Sequence, residues 1–358
     1  MNILLVAMEM NIGGAETHIL ELAIALKKRG HVVYVVSSGG KLVAELEKYD
    51  IKHIYAPLKD KKIAHILQSI KMIKNSIKEY KIDVVHAHAR IPGFICGIVC
   101  KSTKTHFVTT IHGIYRVNFF LKFLTNWGEK TLAVSEDIKE HAIKEYGLKP
   151  ENVFLTINGI DTEKFRKEKM AVNDVRFDNS KVKIIHVSRL DKESSEVAEA
   201  LIDISDDLNK EIEGGVQVII VGSGSKFQDL ILRSTNKQNI ILTGARTDIE
   251  KLLNHSDIFV GVSRAALEAM AAELPVILVG NSSYGQGYQG IFDKGSLELA
   301  QKTNFTCRGL EKLDLNRLKN DIVKLAHAKN DEMGKYNRSV VVTSYSVEKM
   351  VEDALQIY

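Results

Sequence analysis

One segment decides the fold of this chain: Ser256-Asp257-Ile258-Phe259-Val260-Gly261-Val262-Ser263-Arg264-Ala265-Ala266-Leu267-Glu268-Ala269-Met270, followed by Pro275-Val276-Ile277. A short apolar run passes through small residues into a helical stretch, and a second apolar run follows. This order predicts a buried strand, a tight turn, a helix and another buried strand. The first N–H groups of such a helix lack acceptors within it, so its N-terminus would point into a crevice where an anion can bind. Glu268, one turn into the helix, could then bind hydroxyl groups of the molecule that carries the anion.

Short β-branched runs alternate with helical patterns along nearly the whole chain. The first seven are Ile3–Val6, Val32–Val36, Ile51–Tyr55, Val84–His86, Phe107–Thr109, Leu132–Val134 and Val153–Thr156. A polar, basic segment from Thr162 to Ser180 follows. Five more runs come after it, at Val182–Val187, Val216–Val221, Ile240–Leu242, Ile258–Val260 and Val276–Val279. Such alternation is typical of parallel sheets covered by helices on both faces.

We therefore predict an α/β protein with two Rossmann-like, doubly wound parallel-sheet domains that face each other across a cleft. The first domain would cover residues 1–165 and the second residues 175–345. A closing helix at about 346–358 could belong to either half, including by packing back on the first domain.

The composition limits the class of protein. The chain has 358 residues, of which 45% are hydrophobic and 26% charged, and its formal net charge is +4. This charge is too small to indicate nucleic acid as a partner, but it suits small anions or weak contact with an acidic membrane. The three cysteines, Cys96, Cys100 and Cys307, are few and odd in number and form no metal-like cluster, which predicts a reduced protein. We expect Cys96 and Cys100, one helical turn apart in an apolar segment, to be core residues.

We expect a cytoplasmic protein that is at most peripheral at the inner face of a membrane. The first apolar run is too short for a signal peptide, and no run reaches the length of a spanning helix. Lys59–Lys81 and Tyr115–Leu124 are amphipathic and could rest on a membrane surface. Core packing under a solvated lysine face is the favoured interpretation of both segments.

Glycine turns follow several of the predicted strands. Gly13 and Gly14 precede the first helix, where the absence of Cβ atoms lets backbone N–H groups approach a diphosphate. Gly222 and Gly224 follow a later strand, and the alternative for each pair is a tight turn without a ligand. The three spaced glycines of a dinucleotide site are missing, which argues against hydride transfer.

Cations and histidines also occur at strand ends. Arg189 and Lys192 follow a buried strand and could neutralise the diphosphate of a leaving nucleotide, with solvated surface charge as the alternative. His112 follows another strand and could bond a sugar hydroxyl. His86 and His88 point the same way on a strand, so a zinc pair is conceivable. The sequence shows no third ligand, and we expect no metal site.

Taken in order, these pieces resemble the family 4 retaining glycosyltransferases of the GT-B fold. The matching motifs are Gly13–Glu16, His86–His88, Thr110–Gly113, Ala133–Glu136, Ile157–Asp161, Ser188–Asp191, Val221–Gly224 and Arg264–Pro275. The resemblance implies a metal-independent transferase without a cofactor. It would move a sugar from a nucleotide-diphosphate donor, most often a UDP-sugar, to an acceptor hydroxyl with the anomeric configuration retained. We expect a role in cell-envelope polysaccharide or glycolipid synthesis.

The resemblance also implies roles for single residues. His112 at the donor sugar, Arg189 at the diphosphate and Glu268 at the ribose would be the catalytic set. The donor-binding residues would be Gly13, Gly14, Arg189, Lys192, Gly222, Gly224, Arg246 near the base, Arg264, Ala265 and Glu268. Glu16, His88 and Arg90 would bind the acceptor, which could be a sugar, a lipid-linked sugar or a small molecule.

This chain departs from the family pattern at several positions. Val260 stands where many members have a second Glu, and Ser194 stands where a Lys is usual. Glu273 follows the helix where a C-terminal Gly is expected. The loop Gly280–Gly290 lies where the family closes over the donor sugar, although a plain flexible loop explains it equally well. These departures leave open a degenerate member that binds nucleotide sugar without catalysis. A nucleotide-sugar epimerase, which shares the two-domain architecture, is the other alternative.

Overall fold

The computed structural model describes residues 1–60, 62–115, 117–118, 121–122 and 125–358. The chain forms two compact units: Met1–Gly159 together with Ser346–Tyr358, and Ile160–Tyr345. Each unit contains one sheet whose strands alternate with helices, so the predicted α/β class is confirmed. Most of the aromatic residues in the segment 115–124, which the sequence suggested as a membrane contact, lie outside the described residues.

The first unit has an all-parallel sheet of seven strands. They are β1 (Asn2–Ala7), β2 (Val32–Ser37), β3 (Lys52–Tyr55), β4 (Val84–His88), β5 (His106–Ile111), β6 (Lys130–Ala133) and β7 (Val153–Leu155), in the order β3-β2-β1-β4-β5-β6-β7. The helices between them are α1 (Gly14–Lys28), α2 (Val43–Lys48), α3 (Ile63–Glu79), α4 (Arg90–Thr103) and α5 (Glu136–Tyr146). Chain order reverses between the neighbours β1 and β4.

Strand β1 shows why these runs are apolar throughout. Ile3 and Leu5 join the core that contains Leu22 of α1, whereas Leu4 and Val6 join the core on the other face of the sheet. Successive side chains of a strand point to opposite faces, so a strand covered on both faces has to be apolar at every position.

The second unit has a six-stranded sheet with one antiparallel edge. Its strands are β8 (Val182–Val187), β9 (Val216–Val221), β10 (Ile240–Gly244), β11 (Ile258–Gly261), β12 (Val276–Val279) and β13 (Tyr288–Ile291), in the order β10-β9-β8-β11-β12-β13. Its helices are α6 (Glu196–Glu211), α7 (Phe227–Arg233), α8 (Ile249–Asn254), α9 (Ser263–Ala271), α10 (Leu297–Lys302), α11 (Leu315–His327) and α12 (Asp331–Ser344). Here the order reverses between β8 and β11.

Strand β13 corrects the expectation of a loop through Gly290. It pairs antiparallel with β12, and the buried Tyr288 donates a hydrogen bond from its hydroxyl to Asp321 Oδ2 at 2.6 Å. Gly287 and Gly290 have no side chains, so the alternation of apolar and polar residues that marks a strand is not visible in this part of the sequence. Gly290 has a φ of 99°, which a residue with a side chain rarely adopts.

The basic segment after residue 161 belongs to the second unit. The ring of Phe177 stacks on that of His255, with centroids 4.6 Å apart. Asn254 donates from Nδ2 to the carbonyl of Arg166 at 2.9 Å. These contacts attach the segment to α8 and the residue that follows it.

The closing helix, α13 (Val347–Leu355), belongs to the first unit. Ser346 caps it by accepting a hydrogen bond from the Lys349 N–H at 3.3 Å. A Cβ atom on Gly159 would stand 2.9 Å from Met350 Cβ, so the close approach of the helix requires glycine there. The Tyr358 hydroxyl lies 2.7 Å from His86 Nδ1.

The apolar face of α3 is only partly used for packing. Ile73 is fully buried, whereas Ile63 is 77% exposed and Leu67 is 61% exposed. Core packing therefore explains the second half of this amphipathic segment but not the first. Among the described residues, no helix is both long and apolar enough to cross a membrane. The three cysteines are buried, and the core positions predicted for Cys96 and Cys100 are confirmed.

Glu273 provides a test of backbone strain. It follows α9 with a φ of 65°, and the next N–H, that of Leu274, donates to the Ala269 carbonyl at 3.0 Å. Glycine is preferred at such a helix end because the left-handed conformation costs other residues about 1 kcal/mol. We expect Glu273→Gly to raise the free energy of unfolding by about 0.5–1 kcal/mol in urea titration.

Glu273→Ala is the matched control, because it removes the carboxylate but keeps the Cβ atom. It should give no such gain. Equal stability of the Gly and Ala variants would show that strain at residue 273 is not significant.

Candidate functional site

The sequence motifs gather where the strand order of each sheet reverses. In the first unit this point lies between β1 and β4, and in the second between β8 and β11. Loops that follow the carboxyl ends of the strands border a crevice there, which is where open α/β sheets bind ligands. Arg189 follows β8, and α9 begins directly after β11.

The loop after β8 is held in place by the loop after β9. The Leu190 N–H donates to the Ser223 carbonyl at 3.1 Å, and the Lys226 N–H donates to the Leu190 carbonyl at 2.8 Å. The Ser225 N–H donates to Asp191 Oδ1 at 2.9 Å. These bonds fix the backbone directly after Arg189, whose side chain stays exposed.

Gly222 and Gly224 make this close packing possible. A Cβ atom on Gly222 would overlap the Ser188 carbonyl oxygen, and one on Gly224 would overlap the backbone of Leu190. Packing between the two loops therefore explains both glycines. Their predicted role in donor binding stays a prediction.

Ser194, in place of the usual Lys, points into its own loop. Its side chain is buried, its N–H donates to the Asp191 carbonyl at 2.9 Å, and its Oγ accepts from the Asp191 N–H at 3.3 Å. Lys192 is exposed two residues earlier. This loop therefore presents an exposed lysine at residue 192 and no cationic side chain at residue 194.

Helix α9 begins with a strained residue and a buried ion pair. Ser263 has a φ of 60°, and its N–H donates to the Phe305 carbonyl at 2.6 Å. Arg264 Nε donates to Glu268 Oε1 at 2.8 Å, and both side chains are buried. Burial raises the pKa of Glu268, and Arg264 opposes this shift. Ala265, between them in sequence, is half-buried.

Arg246 is engaged by carboxylates of its own unit. Its Nε and one terminal nitrogen each donate to Asp248 at 2.8 Å, and the guanidinium also bonds Asp174. These bonds raise the pKa of Arg246. The arginine therefore ties the loop after β10 to the segment around residue 174, and its predicted place near the base stays a prediction.

His186 is a site residue that the sequence interpretation missed. It is buried on β8, and its Nδ1–H donates to the carbonyl of Val260 on β11 at 2.8 Å. Its Nε2 then accepts from the Ser188 hydroxyl, also at 2.8 Å. A histidine inside a β-branched run was the available signal. Val260 itself is fully buried in the apolar core, so this chain has no place there for the missing Glu.

Glu196 is a second missed residue. It opens α6, and its Oε2 accepts bonds from the Ser282 N–H at 2.6 Å and the Ser282 hydroxyl at 2.8 Å. This carboxylate anchors the loop that the resemblance places over the donor sugar. The two residues are 86 positions apart, and no local pattern in the sequence could join them.

In the first unit, Gly13 and Gly14 stand at the start of α1. A Cβ on Gly13 would overlap the Glu16 carboxylate. Apart from Gly14 itself, its two chain neighbours and the backbone of α1, no described residue has an atom within 4 Å of where a Cβ on Gly14 would stand. The space in front of Gly14 is therefore open to a ligand. Arg90 opens α4, with its guanidinium 5.5 Å from the ring centre of Tyr115.

Four histidines cluster at the carboxyl edge of this sheet. His86 lies between Tyr358 and Thr110, with each ring nitrogen 2.7 Å from a hydroxyl. His88 Nδ1 lies 3.1 Å from His112 Nε2. The ring of His18, on α1, makes an edge contact with that of His112 at 4.7 Å between centroids.

Burial keeps three of these imidazoles neutral near pH 7. It lowers the pKa of His86 to about 3 and that of His112 to about 4, and it holds the pKa of His88 well below its ordinary value. The sequence singled out His86 and His88 as a pair. The structure instead brings one nitrogen each of His18, His88 and His112 within 4.8 Å of one another. His18 was missed because it lies on the apolar face of a helix.

Two family models match the chain. Glycosyltransferase Family 4 covers residues 12–164, and Glycosyl transferases group 1 covers residues 181–301. Among curated proteins, alpha-monoglucosyldiacylglycerol synthase of Streptococcus pneumoniae is 22% identical over 309 residues, which are 75% of this chain and 68% of that protein. The UDP-Gal:alpha-D-GlcNAc-diphosphoundecaprenol alpha-1,3-galactosyltransferase of Escherichia coli is 25% identical over 321 residues, 82% and 79% of the two chains.

A solved structure has the same fold over the whole chain. Anabaena HepE in complex with UDP-glucose superposes with a TM-score of 0.74, covering 99% of this chain and 98% of its own, at 17% identity. The predicted GT-B fold is thereby confirmed.

The anchor of the 281–287 loop can be tested by hydrogen exchange. Glu196→Gln exchanges a charged acceptor for a neutral one in two bonds, which costs about 1–2 kcal/mol locally. We expect the Ser282 amide to exchange about 10-fold faster, with global stability little changed. The control is Glu199→Gln, which removes the charge from the carboxylate on the same helix that accepts a hydrogen bond from the Ser195 hydroxyl. It should leave the exchange rate of the Ser282 amide unchanged. Unchanged exchange in Glu196→Gln would contradict the proposed anchor.

His186 predicts a specific acid sensitivity. Burial lowers its pKa to about 4 from the ordinary 6.5, so its contribution to stability is complete above pH 6.5 and is lost as the pH falls toward 4. A shift of this size corresponds to about 3 kcal/mol. In His186→Gln, the difference in unfolding free energy between pH 7 and pH 4 should shrink by about this amount.

The control for this measurement is His327→Gln, which replaces an exposed histidine on α11. Its pH profile should match that of the wild type. A profile of His186→Gln that is parallel to the wild type would show that protonation of residue 186 does not limit stability.

Proposed function

This chain belongs to the family 4 glycosyltransferases of the GT-B fold, and we propose that it transfers a sugar from a UDP-sugar to an acceptor hydroxyl with retention of the anomeric configuration. The observation that carries this proposal is the reversal between β8 and β11. The loop with Arg189 and the N-terminus of α9 follow these two paired strands, so a cation and helix N–H groups serve the same edge of the sheet.

In the proposed reaction, the second unit stabilises the leaving nucleotide. Glu268 accepts hydrogen bonds from the ribose hydroxyls, and Arg264 holds its carboxylate in place. Arg189, assisted by Lys192, and the first N–H groups of α9 stabilise the negative charge that grows on the diphosphate as the glycosyl bond breaks. The acceptor hydroxyl attacks from the same face, and its proton passes to the leaving phosphate. No metal ion is needed for this step.

His112 has a neutral role in this scheme. A pKa of about 4 leaves it without a proton to donate as an acid near neutral pH, so we assign it to a hydrogen bond with a hydroxyl of the donor sugar. His88 was predicted to contact the acceptor. Because it is buried and bonded to His112, we propose that it positions His112 instead. Glu16 and Arg90 remain the proposed acceptor contacts.

The relatives favour a UDP-sugar donor and a lipid-linked acceptor. HepE was crystallised with UDP-glucose, and the E. coli relative is named for UDP-Gal and a diphosphoundecaprenol acceptor. The S. pneumoniae relative is named for a diacylglycerol lipid. We propose envelope glycolipid or polysaccharide synthesis by a cytoplasmic enzyme. The exposed Ile63 and Leu67 on α3 support peripheral contact with the membrane surface.

Activity is tested with a panel of UDP-sugars and lipid-linked acceptors, with UDP release and the anomeric NMR signal of the product as readouts. We expect an α-linked product from an α-linked donor, and a loss of kcat/KM of about 100-fold or more in Arg189→Ala. Arg317→Ala is the control, because this arginine on α11 pairs with Glu311 at the surface. An inverted product would contradict the retaining mechanism.

The two alternatives give different results in the same assays. A degenerate member would bind UDP without turnover. In that case Ser194→Lys would create activity only if the loop changes conformation so that the side chain at residue 194 is no longer buried. An epimerase would convert the donor sugar without any acceptor. Brisk transfer by the native chain that is lost in Arg189→Ala excludes both.

Substitution of Gly14 by alanine should change the stability of the chain and its affinity for UDP-sugar in opposite directions. Alanine in the first turn of α1 should raise the free energy of unfolding by up to about 0.5–1 kcal/mol, because glycine is the poorer helix former. If the donor diphosphate approaches the backbone here, the same methyl group should weaken UDP-sugar binding about 10-fold or more in calorimetry, which corresponds to a modest steric cost. If Gly14→Ala is more stable than the wild type but binds UDP-sugar with the same affinity, Gly14 does not belong to the donor site.

A further inference from the structure

The histidine cluster of the first unit has the composition and spacing of a metal site. One imidazole nitrogen of each of His18, His88 and His112 lies within 4.8 Å of the other two. In a tetrahedral zinc site, Zn–N bonds of about 2.0–2.1 Å place the nitrogens about 3.3 Å apart. His88 Nδ1 and His112 Nε2 are 3.1 Å apart, and one nitrogen of His18 lies within 4.8 Å of one nitrogen on each of these two residues. Shifts of about 1.5 Å would therefore bring three nitrogens to the spacing of a zinc site.

Three separate elements supply these side chains. His18 lies on α1, His88 is the last residue of β4, and His112 follows β5 directly. Strands β4 and β5 are paired in the sheet, which fixes the backbones of the last two ligands relative to each other. A modest rotation of the His18 side chain would then close the set without movement of the sheet.

The chemical state of the cluster also suits a metal. His88 Nδ1 and His112 Nε2 share one hydrogen bond, and a cation can displace the single proton between them. Within the part of the chain that the structure describes, the buried Nε2 of His88 has no hydrogen-bond partner. A buried polar atom in this condition is unusual and indicates that the cluster is not a closed hydrogen-bond network.

The neighbouring His86 is excluded from the set. Both of its nitrogens are occupied, one by the Tyr358 hydroxyl and the other by Thr110. The pair that the sequence suggested, His86 and His88, is therefore not the site. His112 is only partly buried, so the cluster retains a side from which an ion and a water ligand can enter.

We propose that His18, His88 and His112 bind a transition-metal dication of the zinc class, with one nitrogen each and a fourth position left to water. Three nitrogens with an open position suit Zn²⁺ and Co²⁺ and disfavour Mg²⁺, which prefers oxygen ligands. The consequence for activity rests on the proposed function: the metal replaces the bond through which His88 positions His112, and it places a dication beside the donor sugar. Zinc is therefore an inhibitor of transfer and not its cofactor.

Binding is tested on the full chain with Co²⁺ as the spectroscopic probe, after treatment with a chelator. We expect the visible absorption of four-coordinate Co²⁺, its displacement by Zn²⁺, and a rise in the melting temperature with Zn²⁺ but not with Mg²⁺. His18→Ala and His112→Ala should each weaken Co²⁺ binding at least 10-fold. His141→Gln, a change at a histidine of α5, is the control and should bind like the wild type.

Each outcome decides the proposal, and circular dichroism identifies any variant that fails to fold. No absorption and no thermal shift in the wild type would overturn it, as would absorption that persists in both folded alanine variants. These readouts need no turnover, so they stand apart from failure of the proposed transferase activity. Transfer that continues in chelator and falls when Zn²⁺ is added supports inhibition, and transfer abolished by chelator contradicts it.

Discussion

The hydrogen bonds of one buried imidazole hold the second unit together at the place where its chemistry would occur. His186 donates to the carbonyl of Val260 and accepts from the hydroxyl of Ser188. It thereby joins the ends of β8 and β11, the two strands between which the order of the sheet reverses. Both hydrogen bonds of His186 join neutral groups and are buried away from water, and they keep their geometry only while the imidazole stays uncharged.

The buried pair of Arg264 and Glu268 adds little to stability by itself. Removing two charges from water costs about as much as their attraction returns, and the raised pKa of Glu268 shows that the cost of burial exceeds the help from Arg264. A stable fold alone would favour apolar side chains at these positions. The ion pair and the left-handed Ser263 together make the start of α9 a costly feature, which is the pattern expected where binding rather than stability is the constraint.

The sequence could predict the strands because each one is a continuous β-branched run, and it could predict the strand-end motifs because glycines and cations stand directly after those runs. It could not predict β13, whose glycines interrupt the alternation, or the anchor of Glu196 on Ser282, which joins residues far apart in the chain. Arg189 and Glu268 were accessible to sequence reasoning by position alone. The bonding of Arg246 to two carboxylates was not, because one of them, Asp174, lies 72 residues away.

Under the proposed function, the polar groups at the strand ends of the two units suit different parts of the sugar-transfer reaction. The second unit offers a cation and helix N–H groups, which suit a leaving diphosphate. Burial keeps His86, His88 and His112 of the first unit neutral. If His112 bonds the donor sugar as proposed, a neutral imidazole suits a sugar that becomes positive as the glycosyl bond breaks, because an imidazolium there would oppose that charge. Burial lowers the pKa of His112 to about 4, and the neutral state that results is the one that the proposed mechanism needs. A dication at this cluster would place two positive charges where the proposed mechanism tolerates none. Metal binding and sugar transfer therefore oppose each other electrostatically, and the metal also replaces the bond through which His88 positions His112.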